Sequence, residues 1–349
     1  MAPFRLGELF CGPGGLAQGA FSAVSDDGAL SVVHAWASDI DADSCATYVK
    51  NLCPERPESV VCCDVRQLDL ASLPPIDAFA FGFPCNSFSK VGEHRGRRDS
   101  RFGSLYKYGV EALRIFRPKW FIAENVSGLK SAGNNDLQII LRELADAGYI
   151  ITPHLYFAEN YGVPQKRHRI IIVGIRSDLD VEFQVPDPSM FAGSDISART
   201  ALSDIPSTAP NNEIHRMSAI ISERLAFIRP GENVWEAEHR MPPHLRIATK
   251  TRISQIYKKL HPDRPSYTIT ASGGGGTMGY HWDNRELTNR ERARLQTFPD
   301  HFEFVGRYSS VRKQIGMAVP CRLSRIIVTA ILNSFARIPY PSVSPNIPS

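Results

Sequence analysis

A cysteine stands where an apolar run ends and a basic segment begins. Residues 76–89 read Ile-Asp-Ala-Phe-Ala-Phe-Gly-Phe-Pro-Cys-Asn-Ser-Phe-Ser, which puts Cys85 directly after Gly82, Phe83 and Pro84. A short apolar run closed by Gly and Pro predicts a strand of a parallel sheet. Open α/β sheets bind ligands beyond the carboxyl ends of such strands. A thiol displayed there, once ionised, is the strongest nucleophile a side chain offers. His94, Arg95, Arg97, Arg98 and Arg101 follow within a few residues. A nucleophile beside a phosphate-seeking segment predicts chemistry on a nucleic acid.

Three further constellations have residue types suited to a site. The stretch Phe10-Cys11-Gly12-Pro13-Gly14-Gly15 follows a strand-like run and precedes a helix-like one. Glycines at such a turn let a ligand approach the backbone, and the helix start offers free N–H groups. Its spacing departs from the dinucleotide fingerprint GxGxxG, so a nucleoside ligand without a pyrophosphate fits better. Asp39 and Asp64 end the next two strand-like runs, where carboxylates suit ribose hydroxyls and an adenine amine. Glu124-Asn125-Val126 closes the apolar run 120–123, and Gln165-Lys166-Arg167-His168-Arg169 opens the run 170–175. Alternation places Arg167 and Arg169 on one side of that strand. Taken singly, each of these equally fits a structural turn, a helix cap or a charged surface strand.

The elements that must position these residues alternate along the first half. Strands are expected at 4–10, 32–38, 59–63, 78–83, 120–124 and 170–175, and helices from about 14 and at 41–51, 106–116 and 137–147. That order predicts an α/β fold with a doubly wound, mostly parallel sheet. The pattern breaks near residue 178, and the chain to about 265 is rich in Pro, Ser and His. A charged helix is expected at 288–298, an apolar one at 321–336, and a disordered Pro/Ser-rich tail at 339–349. The resulting division is 1–178 for the catalytic and cofactor-binding part, 179–311 for a smaller irregular part, and 312–338 for a returning helix.

Bulk properties narrow the class. The 349 residues are 43% apolar and 22% charged, with a net charge of +4, as in an ordinary globular protein. Any nucleic-acid site must therefore come from local clustering of charge. No run reads as a membrane span or a signal peptide, so a place inside the cell is expected. The 7 cysteines are odd in number and form no CxxC pair, which points to neither disulfides nor a metal site.

In register, these motifs resemble the cytosine-C5 DNA methyltransferases over nearly the whole chain. The glycine turn is similar to that family's first cofactor motif, and Pro84-Cys85-Asn86-Ser87-Phe88-Ser89 to its nucleophile motif. Glu124-Asn125-Val126 resembles its ENV motif and 165–169 its QxRxR motif. Residues 285–300 resemble its late helix, and Gln314-Ile315-Gly316-Met317-Ala318-Val319-Pro320 its last cofactor motif. Asn86 stands where the family usually has Gln, and Met317 where it usually has Asn.

The resemblance implies a Rossmann-like fold that binds S-adenosyl-L-methionine. Its cofactor residues would be Phe10, Gly12, Gly14, Gly15, Asp39, Ile40, Asp64, Val65, Pro84, Met317 and Ala318. It implies Cys85 as nucleophile toward cytosine C6, Glu124 at N3 and the exocyclic amine, and Arg169, with Arg167 alongside, at O2. A base inside duplex DNA must be flipped out to be reached. The implied DNA contacts are Ser87, Ser89, Arg95, Arg97 and Arg98 in a closing loop, and Thr268, Ser272, Gly273 and Gly274 in a recognition loop. A basic stretch, Arg246, Lys250, Arg252, Lys258 and Lys259, suits phosphates. The implied setting is a monomer on DNA in a bacterial cytoplasm, with a cognate restriction endonuclease as companion. The alternatives are a tRNA cytosine methyltransferase, a catalytically inactive DNA-binding relative and a nicotinamide oxidoreductase.

Overall fold

In a computed structural model, residues 3–83, 105–131, 136–248, 252–271 and 276–348 are described. Cys85 and its neighbours, Pro84, Asn86, Ser87, Ser89, Arg95, Arg97 and Arg98, lie outside them, as do Lys250, Ser272, Gly273 and Gly274.

The alternation read from the sequence builds one sheet. Its parts follow as β1 (Phe4–Leu9), α1 (Gly15–Phe21), β2 (Val32–Asp39), α2 (Ala42–Leu52), β3 (Val60–Cys62), β4 (Ala78–Gly82), α3 (Tyr106–Phe116), β5 (Trp120–Val126), α4 (Asp136–Asp146), β6 (Tyr149–Phe157) and β7 (His168–Arg176). The strand order is β3-β2-β1-β4-β5-β7-β6. The five strands from β3 to β5 run parallel, whereas β7 is antiparallel to both β5 and β6. Helices cover both faces, so the inner strands are buried on both sides; Ala78, Phe79, Ala80 and Phe81 of β4 are at most 1% exposed. Strand β6 was not foreseen, because Pro153 interrupts its run. It lies at the sheet edge, where a missing N–H is tolerated.

This topology fixes where a site can form. Strand order reverses direction between β1 and β4, which leaves a crevice outside their carboxyl ends. Because β7 runs the other way, its first residues reach the same edge, and Arg169 pairs with Val126 at the end of β5.

The remaining chain adds β8 (Val185–Pro186), α5 (Ala198–Leu202), α6 (Ala219–Ala226), α7 (Val234–Ala237), α8 (Asn289–Leu295), α9 (Tyr308–Met317), α10 (Cys321–Ala336) and β9 (Ser342–Val343). Leu225, Ile228, Val234, Met241 and Tyr280 gather into an apolar cluster apart from the sheet. Helix α10 returns to pack on α1, with Leu323, Ile327 and Ile331 in the core that covers one sheet face.

Two expectations are corrected. Residues 339–348 are not a free tail: β9 pairs with β8, and Asn346 docks on the open edge of β6. Its amide oxygen accepts from Leu155 N at 2.7 Å and its nitrogen donates to Leu155 O at 3.1 Å, as a neighbouring strand would. The expected charged helix is present as α8, and it is buried, with Arg290 and Arg292 at most 1% exposed. And Tyr308–Ala336 is long and apolar enough to cross a membrane by composition, yet its most apolar window is 72% buried here. It is split between α9 and α10 at Pro320.

Two outcomes follow for stability. Ile347 is 3% exposed within the core under β4, β5 and β7. Ile347→Ala is expected to lower the unfolding free energy by about 2–3 kcal/mol in a urea titration; an unchanged midpoint would mean the segment is not docked.

Glu8, one residue before the end of β1, is 3% exposed, and its carboxyl is held well above the ordinary range by burial, with a Tyr48 hydrogen bond opposing and Asp39 adding repulsion. A raised acid stabilises the fold most below its unfolded value near 4.5 and loses that contribution as pH rises toward its folded value. His34 and His154, pushed down to about 4 by burial, act in the opposite sense as pH falls below 6.5. The Glu8→Gln minus wild-type difference isolates the carboxyl. It is expected to grow in favour of the variant between pH 5 and 7, by up to about 1.4 kcal/mol per pH unit; a pH-independent difference would exclude a buried neutral Glu8.

Candidate active site at the strand ends

The turn after β1 opens one side of the crevice. Phe10 and Gly12 adopt left-handed conformations with φ of 56° and 53°. A Cβ at Gly12 would meet nothing within 4 Å, so its backbone faces open space. The Asp39 carboxylate, at the end of β2, accepts from Gly12 N at 2.8 Å and from Asp41 N at 2.9 Å. It thereby clamps the turn to the next strand end, and burial raises its pKa above the ordinary carboxylate value.

Gly15 is the opposite case, because a Cβ there would sit 2.5 Å from Val319 O and 3.0 Å from Ala318 Cβ. Only glycine lets the first and last motifs of the chain touch. Ile40 and Met317 are 68% and 58% exposed, unusual for large apolar side chains. Val65 is buried beneath this rim. Asp64 is partly exposed and paired with Arg66, whose hydrogen bonds lower its carboxyl to about 2. An open glycine backbone, apolar rims at Ile40 and Met317 and the two strand-end carboxylates suit an adenosyl group.

On the other side, β4 ends at Gly82 beside Glu124, its register partner in β5. A Cβ on Gly82 would lie 3.4 Å from Glu124 Oε2. Arg169 Nε lies 2.8 Å from Glu124 Oε1, and both side chains are only about one-eighth exposed, at 13% and 12%. The buried Asn125 donates its side-chain N–H to Phe83 O at 3.2 Å. That bond holds the backbone two residues before Cys85. The sequence reading quoted Asn125 inside a motif but gave it no role.

Arg167 does not share Arg169's destination, contrary to the simple alternation argument. Strand β7 begins only at His168. Arg167 is 1% exposed, and its guanidinium donates to Ile269 O at 3.0 Å and Gly316 O at 2.9 Å. It belongs to a joint rather than to the open crevice. Thr268, on the same joint, donates its hydroxyl to Lys166 O at 2.6 Å.

One member of the basic stretch is also corrected. Lys259 is 2% exposed, donates to Ile228 O at 2.6 Å and to Asn284, and burial lowers its pKa to about 8. Arg252 pairs with Glu238, Lys258 with Glu236, and Arg246 donates to Met241 O. Arg246 and Arg252 nevertheless remain exposed. No group of three or more metal-ligating side chains occurs among the described residues.

Comparison with known proteins places this geometry. A model of the C-5 cytosine-specific DNA methylase family matches residues 4–333. The chain is 54% identical over 355 aligned positions to the type II methyltransferase M.BbvI of Brevibacillus brevis, covering 98% of this chain and 94% of the relative. It is 38% identical to M.NgoFVII of Neisseria gonorrhoeae, covering 90% and 82%. In structure it is similar to a DNA modification methyltransferase encoded within an Escherichia coli prophage, with a TM-score of 0.69, 22% identity and coverage of 95% and 99%. It is also similar to the Dnmt2 methyltransferase of S. pombe, with a TM-score of 0.62, 16% identity and coverage of 96% and 100%. The chain belongs to the C-5 cytosine-specific DNA methylase family, among methyltransferases of the type II restriction-modification class.

Proposed function

We propose that this enzyme flips a cytosine out of a specific duplex DNA sequence and methylates its C5 through a covalent adduct with Cys85. The observation that carries the reading is the Glu124–Arg169 pair at the strand ends, beside the Asn125 grip on Phe83.

Cytosine C5 is a poor nucleophile until a thiolate adds at C6, which makes C5 an enamine carbon. Cys85 supplies that thiolate. Glu124 hydrogen-bonds N3 and the exocyclic amine, which draws electron density from C6. Arg169, already anchored on Glu124, faces the O2 oxygen, where negative charge grows during addition. A fixed guanidinium requires no reorganisation at that moment. Removal of the C5 proton then allows Cys85 to leave as thiolate, which restores the aromatic ring.

S-adenosyl-L-methionine fits the opposite wall and would supply an electrophilic methyl group there. Asp39 would hold the ribose hydroxyls, and Asp64 the adenine amine. Ile40 and Val65 would flank the adenine, with Phe10, Gly12, Gly14, Gly15, Pro84, Met317 and Ala318 around the rest. Ser87, Ser89, Arg95, Arg97 and Arg98 would contact the DNA backbone around the flipped base. Residues 179–311 would form the target-recognition part, with Thr268, Ser272, Gly273 and Gly274 near the target. Protection of DNA against a cognate endonuclease, action as a monomer and a cytoplasmic location complete the reading.

The test is transfer of a labelled methyl group to duplex DNA and, in parallel, to tRNA. Transfer to duplex DNA is expected, abolished in Cys85→Ala and reduced on the order of 10²–10⁴-fold in Glu124→Gln. Transfer confined to tRNA would reject the DNA reading. Full activity in Cys85→Ala would reject the nucleophile.

A further inference from the structure

Arg167, Gln165 and Gln296 form a buried polar joint between parts of the chain far apart in sequence. Residues 164–168 pair with 266–269: Lys166 N donates to Ser266 O at 2.7 Å and Ser266 N to Pro164 O at 3.0 Å. The Gln165 side-chain oxygen accepts from Ile269 N at 2.9 Å, while its nitrogen donates to Leu295 O at 3.0 Å and Gln296 Oε1 at 3.1 Å. Gln296 then donates to Ile315 O at 2.7 Å and Ala318 O at 3.2 Å. Arg167 bridges Ile269 O and Gly316 O.

Two of these acceptors share a feature. The carbonyls of Ile315 and Gly316 lie in the last turn of α9; Gly316 O is among the final C=O groups that a helix leaves without intrahelical donors, while Ile315 O also accepts from Ala318 N at 3.3 Å. A guanidinium placed there also meets the negative end of the helix dipole. The joint therefore fixes the end of α9 and hence Ala318 and Val319, the wall that touches Gly15. The same joint fixes Ile269, which leads into the 272–275 segment. Between them there is no slack: a Cβ on Gly316 would lie 2.3 Å from both Ala271 N and the Thr270 carbonyl carbon.

We infer that Arg167 is a positioning residue that transmits occupancy of the cofactor crevice to the recognition segment at 266–271. This rests on the reading of the glycine-turn crevice as the cofactor site. Close-packed, hydrogen-bonded groups with no void pass a displacement on rather than absorb it. Rigidifying α9 from the crevice side then lowers the freedom of 266–271, and the coupling is reciprocal.

Hydrogen exchange on the full chain, with and without saturating S-adenosylhomocysteine and without DNA, tests this, with calorimetry confirming binding. Exchange in peptides covering 266–271 is expected to slow by about fivefold or more. Arg167→Lys keeps the charge, but a single ammonium lacks the planar fork that spans two carbonyls. In that variant S-adenosylhomocysteine is expected still to bind, with the protection of 266–271 lost. Protection confined to the glycine turn and α9 in the wild type, or unchanged transfer in Arg167→Lys, would overturn the inference. Should Arg167→Lys fail to fold, the wild-type exchange pattern alone decides. Absence of any calorimetric binding would overturn the cofactor reading itself, a result distinct from binding without transfer.

Discussion

The structure depends on the closure of the chain's two ends against each other. Helix α10 lies on α1 so closely that a Cβ at Gly19 would sit 2.3 Å from Cys321 O. Ser324 Oγ donates to Leu16 O at 2.6 Å across the same contact. Where this interface meets the strand ends, Gly15 touches Ala318 and Val319. A side chain at either glycine would push the helices apart, and the crevice would lose one wall. Segments at opposite ends of the sequence thus become one surface through glycine and the burial of Leu323, Ile327 and Ile331.

The second requirement is the inverted strand. If β7 ran parallel to β5, its first residues would fall at the far edge of the sheet. Running antiparallel, it delivers Arg169 to the edge where β5 ends. The Glu124–Arg169 pair is mostly withdrawn from water, where desolvation offsets much of the attraction between the charges. Its value is therefore better sought in function than in stability: a carboxyl and a guanidinium held in fixed relation beside a backbone gripped by Asn125. The Gln165–Arg167–Gln296 joint plays the corresponding part between the sheet and the later segments.

Much of this was legible in the sequence. Helices at 106–116 and 321–336 follow from apolar spacing and have the predicted limits, and the doubly wound sheet follows from alternation. The crevice motifs were visible because glycine turns and strand-end carboxylates are local signals. Contacts with distant partners were not visible. Nothing local in the sequence pairs Arg290, whose guanidinium donates to Pro210 O and Pro299 O, both at 3.0 Å. Lys259 and Arg167 differ from expectation for the same reason, since a cation that satisfies backbone carbonyls looks in sequence like one awaiting a ligand. The docking of 339–349 was hidden because Asn346 acts through one side chain against an edge strand, leaving no periodic trace.

In the proposed mechanism the strand-end crevice presents a flipped cytosine to Cys85. The most direct measurement is mass spectrometry of the full-length protein after incubation with S-adenosyl-L-methionine and duplex DNA bearing 5-fluorocytosine at its methylated position. Fluorine at C5 cannot leave as a proton does, so the thioether at C6 is retained. A stable adduct that maps to Cys85 is expected. An adduct on another residue, or none on a duplex whose ordinary cytosine is methylated, would contradict it.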